Sequence, residues 1–316
     1  MLRFDVVDVF TDRPFAGNQL AVVHGADDLS TEQCLAIAQE FNFSETTFPS
    51  SAIEGDGTEY TTRIFTPGAE IPFAGHPTLG TAWVLRDRGL LSGGAVGQHC
   101  GAGRIGVRFA DDGSVELTAA PRDLFGPLPE QLVASLLEDF GLSPADLAGP
   151  VYAAGCGLTF LHVPLRAGAV ARARPSSTPL QAYADRLAAV GEAKDPVEGV
   201  NLFTAVAAAP SLAVRARVFV PGLSVAEDPA TGSAAAGLGM ALVAAGTLPD
   251  GGSYRITQGV EMGRPSTLDG RVECTSVGGH GWSAAGSDAE VMRVAAVCHV
   301  AGRVQRVGRG EIAIPR

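Results

Sequence analysis

From Ala230 to Leu248 no side chain carries a charge, and most are Ala, Gly, Leu, Val or Met. A segment that is apolar on every face reads as a helix buried all round. Elsewhere the pattern alternates between short β-rich runs and amphipathic helices. Residues 4–10 and 20–23 predict a strand and its return, joined by a turn at 11–14 and a loop at 15–19. Ser30-Thr31-Glu32-Gln33 has the spacing of a capping box and opens a helix to about residue 40. A strand at 60–65 precedes a second helix, with Pro77 at its first position, Arg88 near its end and Gly89 as its stop. Residues 103–109 and 114–118 predict a hairpin around Asp111-Asp112-Gly113. Helices at 131–140 and 180–190, a short one opened by Pro144, a strand pair over 151–164 and strands at 200–206, 213–220, 254–257, 293–300 and 311–314 complete the pattern, with 263–266 a loop. Gly155-Cys156-Gly157 lies between two strands and is followed by no helix, so it reads as a turn and not as a nucleotide loop.

One stretch occurs twice. Arg63-Ile64-Phe65-Thr66-Pro67-Gly68, followed by Ile71-Pro72-Phe73-Ala74-Gly75-His76-Pro77-Thr78, is echoed by Arg217-Val218-Phe219-Val220-Pro221-Gly222, followed by Val225-Ala226-Glu227-Asp228-Pro229-Ala230-Thr231-Gly232-Ser233-Ala234. Both copies run strand, Pro-Gly turn, extended piece and apolar helix. Laying Gly75 on Gly232 needs a small insertion in the second copy and pairs His76 with Ser233. A repeat separated by about half the chain predicts two similar domains, 1–119 and 120–307, whose helix starts meet at one cleft. Asp228-Pro229 makes a turn before the second helix, Thr231 and Ser233 offer side chains to its freed backbone donors, and Gly232 lets a ligand approach the main chain. The positive end of a helix dipole favours an anion there, such as a substrate carboxylate.

Composition narrows the partner. The chain has 316 residues, a formal net charge of -11 and 46% hydrophobic residues. Its pI is near 5.0 and its mean hydropathy +0.18. That acidity argues against nucleic acid and acidic membranes, which need a basic surface to displace counterions. The apolar runs are too short or too Gly-rich to span a bilayer, so the expected partner is a small molecule. Cys34, Cys100, Cys156, Cys274 and Cys298 are odd in number, widely spaced and without a CxxC pair, and no signal peptide precedes residue 4, which predicts a cytoplasmic protein with reduced thiols. His24, His76, His99, His162, His280 and His299 show no metal-ligand spacing, so no metal is expected.

Two polar residues stand out chemically. Glu45 lies between Phe43 and Phe48, where a helix gives way to a β-rich segment. Loss of solvation there would raise its pKa toward the range in which one group both accepts and donates a proton. His76, at the head of a helix, is placed to donate to a substrate carboxylate or to shuttle a proton.

Asn42-Phe43-Ser44-Glu45-Thr46, Phe73-Ala74-Gly75-His76-Pro77-Thr78 and the run Glu227 to Ala234, in that order and at these spacings, resemble the PhzF-like phenazine-biosynthesis isomerase family of the diaminopimelate epimerase superfamily. The opening Asp8-Val9-Phe10-Thr11 with Phe15-Ala16-Gly17-Asn18, and the closing Val307-Gly308-Arg309-Gly310-Glu311-Ile312, extend the resemblance over nearly the whole chain. It implies an α+β, diaminopimelate epimerase-like fold of two pseudo-symmetric domains, each a curved sheet wrapped around a central helix. It also implies a C-terminal strand, about 308–316, that returns to the first domain, an active site in the cleft, and a homodimer. In such proteins the residue matching Glu45 transfers the proton, and those matching His76, Asp228 and Ser233 bind and polarise the substrate. Asn18, Gly75, Thr231 and Gly232 are expected to hold the substrate around them.

The type reaction is the cofactor-independent isomerisation of trans-2,3-dihydro-3-hydroxyanthranilate. A single carboxyl group of suitable pKa, with donors for the developing charge, needs no cofactor for this. Epimerases of the diaminopimelate kind instead use two cysteines, at places that here hold Ala74 and Thr231. Neither residue forms a thiolate, which disfavours a two-base racemase. The alternatives are an isomerase or epimerase acting on another small carboxylated metabolite, and a homologue that binds a metabolite without turnover.

Overall fold

The computed structural model describes residues 1–122, 124–191, 196–221, 226–277 and 292–316. Gly222 and Val225 of the second repeat copy, and His280, fall outside the described residues. The first half of the chain forms β1 (Leu2–Val9), β2 (Asn18–His24), α1 (Thr31–Phe41), β3 (Glu45–Glu54), β4 (Glu59–Phe65), β5 (Glu70–Ile71), α2 (Gly75–Asp87), β6 (Ala95–Cys100), β7 (Gly103–Phe109) and β8 (Val115–Ala119). The second forms β9 (Leu124–Phe125), α3 (Glu130–Asp139), a 3-10 turn Pro144–Asp146, β10 (Tyr152–Gly155), β11 (Thr159–Pro164), α4 (Ala169–Arg172), α5 (Leu180–Ala189), β12 (Val197–Ala208), β13 (Ser211–Phe219), β14 (Glu227–Asp228), α6 (Gly232–Ala244), β15 (Gly251–Gln258), β16 (Ser266–Val277) and β17 (Met292–Gly302), and β18 (Val304–Ile312) follows.

The halves repeat one topology. In the first, β1–β2 is antiparallel, β2–β3 parallel, β3–β4 and β4–β5 antiparallel, β4–β6 parallel, and β6–β7–β8 antiparallel. Strands β10 to β17 repeat that sequence of pairings step for step. β8 pairs with β17 and joins the two sheets, and β18 returns along the whole of β1. This is an α+β fold.

Each half-sheet wraps a helix of 13 residues, α2 in the first and α6 in the second. Both helices are buried on nearly every face, which for α6 is what the charge-free run from Ala230 to Leu248 predicts. Their apolar residues, among them Leu79, Leu85, Leu238 and Leu242, belong to one core that spans both halves. Smaller cores lie under α3 and α5 and under α1. Among the described residues, no helix is long and apolar enough to cross a membrane.

The capping box at Ser30 and Gln33 is present at the start of α1. Other boundaries differ from the expectation. α2 begins at Gly75, so Pro77 is its third residue and not its first; its missing N–H still falls in the first turn, where no intrahelical bond is lost. β6 and β16 escape the sequence pattern: β6 is a short run interrupted by Gly97, Gln98 and His99, and β16 mixes Gly, Ser, Thr and charged residues with few apolar ones. Both are held by the strands beside them, and in β6 Gln98 is fully buried and bonded to Tyr60 and Thr78. β18 starts at Val304, well before the predicted 311, because it follows β1.

Packing in the second half leaves no room at Gly270 of β16. A Cβ there would overlap the ring of Tyr254, which is 1% exposed and donates its hydroxyl to Ala235 O at 2.9 Å in the first turn of α6. Gly270→Ala is therefore expected to destabilise the protein by about 1–3 kcal/mol, the usual effect of overpacking. Unchanged denaturant stability would show that the Tyr254 ring is free to move.

Candidate active site

α1 ends at Asn42, whose left-handed backbone (φ 52°) turns the chain away while its N–H closes the last turn on Ala38 O. Three residues later β3 begins with Glu45, opposite Leu20 of β2. Alternation along a strand puts Glu45 and Thr47 on one face and Thr46 and Phe48 on the other. Thr47 Oγ1 lies 2.8 Å from Thr81 Oγ1 on α2, whereas Phe48 packs against Phe65 in the core under α1. This corrects the expected setting of Glu45: Phe48 lies on the far side of its strand, and Phe43 packs beside Phe41. The apolar wall instead comes from Ile71, Phe73, Leu158, Phe160 and Val220, which line a cavity of roughly 600 Å³ together with Glu45, Gly75, His76, Asp228, Thr231, Gly232 and Ser233.

The Glu45 side chain is 16% exposed. Burial, reinforced by the nearby Asp228, pushes its pKa up to about 8. Its Oε2 is buried, takes no hydrogen bond from the described residues and lies 3.5 Å from His76 Nδ1.

His76 is the second residue of α2, and burial pushes its pKa down to about 3, so the ring is neutral near pH 7. Its Nε2 lies 3.2 Å from Gln19 O. A carbonyl only accepts, which assigns the ring proton to Nε2 and leaves the single lone pair of Nδ1 for Glu45; the Asn18 amide, 3.3 Å away, directs its two protons to Asp228 Oδ1 and Ala230 O. The expected donation from His76 to a substrate carboxylate does not fit this tautomer. The ring is set to accept a hydrogen bond from protonated Glu45.

Asp228 is held from both halves. Its Oδ1 accepts from Asn18 Nδ2 at 2.8 Å and its Oδ2 from Thr231 Oγ1 at 2.6 Å. Burial raises its pKa to about 6 against the pull of bonds from Thr231, Asn18 and Ser44. Asn18, 1% exposed, also reaches Ala230 O at 3.0 Å. It stands behind His76 and Asp228 and outside the cavity lining, where it ties the two halves together.

The helix starts meet head to head. A Cβ added to Gly75 would lie 3.4 Å from both Gly232 Cα and Ser233 N, so a larger side chain would push the tips apart. Ala74 and Thr231 occupy the N-cap positions of α2 and α6, and neither makes a side-chain cap bond. The sequence pattern gives Thr231 to the freed backbone donors, but its hydroxyl is drawn to Asp228. The first-turn N–H groups of both helices thus remain without a side-chain cap beside the cavity, an arrangement that favours an anion.

Three further residues of the site do not stand out in the sequence. Ser44 supports Asp228. Glu198 lines the cavity. Gln258, 2% exposed, donates to Asp228 O at 2.8 Å and to Thr231 Oγ1 at 3.1 Å. Ser44 lies inside the motif around Glu45, but nothing in the sequence marks Glu198 or Gln258, because the groups that surround them in the site come from distant parts of the chain.

The strand registers show how the symmetry is broken. Phe65 pairs with Thr46 and Phe219 with Val200, so the counterpart of Glu45 is Gly199. Ile64 pairs with Ile71 and Val218 with Asp228, so the counterpart of Asp228 is Ile71. Glu45 of the first half and Asp228 of the second thus stand at positions where the other half has no acid.

A fold of two matched halves with a shared cavity at their helix tips is that of the epimerase-like α+β class. The protein family described as phenazine biosynthesis-like matches residues 7–285. The chain is 34% identical over 286 residues to trans-2,3-dihydro-3-hydroxyanthranilate isomerase of Pseudomonas chlororaphis, an alignment covering 86% of this chain and 91% of that protein. Among solved structures, a PhzF-family phenazine biosynthesis protein of Bacillus anthracis matches at 22% identity with a TM-score of 0.77, covering 99% of each chain. A probable proline racemase of Agrobacterium radiobacter shares the fold at 13% identity, with a TM-score of 0.58 over 100% of this chain and 94% of that one. The chain therefore belongs to the phenazine biosynthesis-like protein family, and it is an isomerase.

Proposed function

We propose that the protein is a cofactor-independent isomerase that moves a proton on a small carboxylated cyclic substrate of the trans-2,3-dihydro-3-hydroxyanthranilate type. The observation that carries this reading is Glu45: a carboxyl group in the cavity, with a raised pKa and an oxygen free of hydrogen bonds, beside two helix tips without side-chain caps. The substrate carboxylate is assigned to the N–H groups around Gly75, Gly232 and Ser233. Glu45 in its ionised form takes a proton from a ring carbon beside the conjugated carboxylate and returns it at another carbon. The negative charge that develops meets the helix dipoles and the Ser233 hydroxyl. Asp228 and Thr231 hold the rim of the site, and the neutral His76 accepts the Glu45 proton in a hydrogen bond between transfers. One carboxyl group serves as base and then as acid, so no cofactor is required. The same reading takes 1–119, with the strand about 308–316, and 120–307 as the two domains of a cytoplasmic homodimer.

The test is incubation with trans-2,3-dihydro-3-hydroxyanthranilate in heavy water, following ring absorbance and deuterium uptake. Solvent deuterium should enter the ring, up to one atom in each turnover, as far as the partly exposed Glu45 carboxyl exchanges its proton with water before delivering it. Because Glu45 must be ionised to begin the reaction, kcat/KM should rise with pH through an apparent pKa near 8. Asp228, raised by burial to about 6, is ionised before Glu45 across that range. Conversion that continues in Glu45→Gln would count against Glu45 as the carrier, and no conversion by the natural protein would count against this substrate.

A further inference from the structure

The second half departs from the first at one point beside the cavity. β2 and β3 pair without a break from Leu20–Glu45 onward. β11 and β12 slip by one: Thr159 faces Val197 and Phe160 faces Gly199, which leaves Glu198 between them with no residue opposite. An extra residue of this kind bends its strand and re-aims its side chain, and bulges are frequent beside active sites. Here Glu198 lines the cavity.

Its side chain makes no hydrogen bond or ion pair with any described residue, and burial alone raises its pKa. A carboxyl group brought into a partly enclosed space without a partner is costly, and a ligand that supplies a donor removes that cost. The rest of the wall limits what such a ligand is. Glu45, Asp228 and Glu198 are its ionisable acids, His76 is neutral, and no Arg or Lys lies among the described lining residues. The backbone tips around Gly75 and Gly232 are the place suited to an anion. A second anionic group on the substrate would meet only acids.

We propose that Glu198 is a specificity residue that accepts hydrogen bonds from an amino or ammonium group of the substrate, so that the cavity selects amino carboxylates over simple carboxylates and dicarboxylates. The assignment rests on the reading of this cavity as the substrate site. It makes Glu198 a reader of the group that stays unchanged, while Glu45 acts on the carbon that reacts.

The experiment is titration calorimetry of the natural protein, Glu198→Gln and Glu198→Ala with two stable ligands, 2-aminocyclohexanecarboxylate and cyclohexanecarboxylate. They differ by one ammonium group. The natural protein is expected to bind the amino acid about tenfold more tightly or better, as a charge-assisted bond in a partly buried site requires. That ratio should shrink in Glu198→Gln and approach one in Glu198→Ala, with cyclohexanecarboxylate bound no worse than before. A ratio near one in the natural protein, no binding of the amino acid, or variants that keep the ratio or lose both ligands alike would overturn the assignment. No turnover is involved. A negative result here leaves proton transfer by Glu45 standing, and failure of the deuterium experiment leaves this ratio to be read on its own.

Discussion

Glu45→Gln is expected to abolish deuterium exchange into the substrate, lowering kcat by about 10²–10⁴-fold or more while KM changes little, since the shape of the side chain is kept and its proton chemistry is lost. The same variant should be more stable than the natural protein once the pH rises above the ordinary carboxyl value of 4.5. In the fold Glu45 keeps its proton to about pH 8, against an ordinary value of 4.5. Between those limits the native state holds one proton more than the unfolded chain, so stability falls as pH rises, and the loss is complete above the folded value. Gln carries no such slope. The gain of the variant should be absent near pH 4 and should reach a few kcal/mol above pH 8, because each tenfold difference in proton affinity between the folded and unfolded chain is worth about 1.4 kcal/mol. Melting temperatures of the two proteins across that range check it. Parallel curves, or exchange that continues in the variant, would mean that the proton travels on another group.

A large difference is also expected between two arginines in the same local motif. Arg63 and Arg217 begin the two repeat copies, and each grips a Glu through two bonds, Arg63 with Glu70 and Arg217 with Glu227. Each also lies over the Phe two residues on, at 4.9 Å and 4.7 Å. The pairs differ in burial: the Arg63 and Glu70 side chains are 34% and 37% exposed, those of Arg217 and Glu227 7% and 11%. Arg217 Nη1 in addition donates to Ala173 O at 2.7 Å and to Val170 O at 3.3 Å. Removing one member of a buried pair strands the other, so Arg217→Ala should cost about 3–5 kcal/mol. Arg63→Ala should cost less than about 1 kcal/mol, because water screens the exposed pair. Urea unfolding of both variants tests this, and equal losses would show that burial does not set the difference. Glu227 adjoins Asp228 and already raises its pKa. An unpaired Glu227 should push the pH limbs of kcat/KM upward in any Arg217→Ala protein that still folds.

The repeat shows how far residue pattern reaches. Arg-x-Phe followed by Pro-Gly and an apolar helix marks both central helices and their matched starts, and the structure has both, with the same bidentate Arg–Glu pair in each copy. The pattern does not show that the copies differ where the chemistry lies. Glu45 corresponds to Gly199 and Asp228 to Ile71, relations that appear only once strand registers are known. Glu198 likewise looks like any Glu in a β-rich run until the slip between β11 and β12 turns it inward.

The amino-acid sequence by itself determined the two matched halves, the buried helices and the motifs holding Glu45, His76, Asp228 and Ser233, because each of these is written in local periodicity or in neighbouring residues; the α+β class came from the family resemblance that those motifs carry. Tertiary structure alone decided which face of β3 shelters Glu45, which nitrogen of His76 carries the proton, why Thr231 turns to Asp228 instead of capping its helix, and which other side chains share the cavity. Those outcomes depend on groups far apart in the chain: Gln19 O beside His76, Asn18 spanning to Asp228, Gln258 behind Thr231. Desolvation and hydrogen bonding act through space, so a pKa near 8 on one carboxyl group is a property of the walls brought around it.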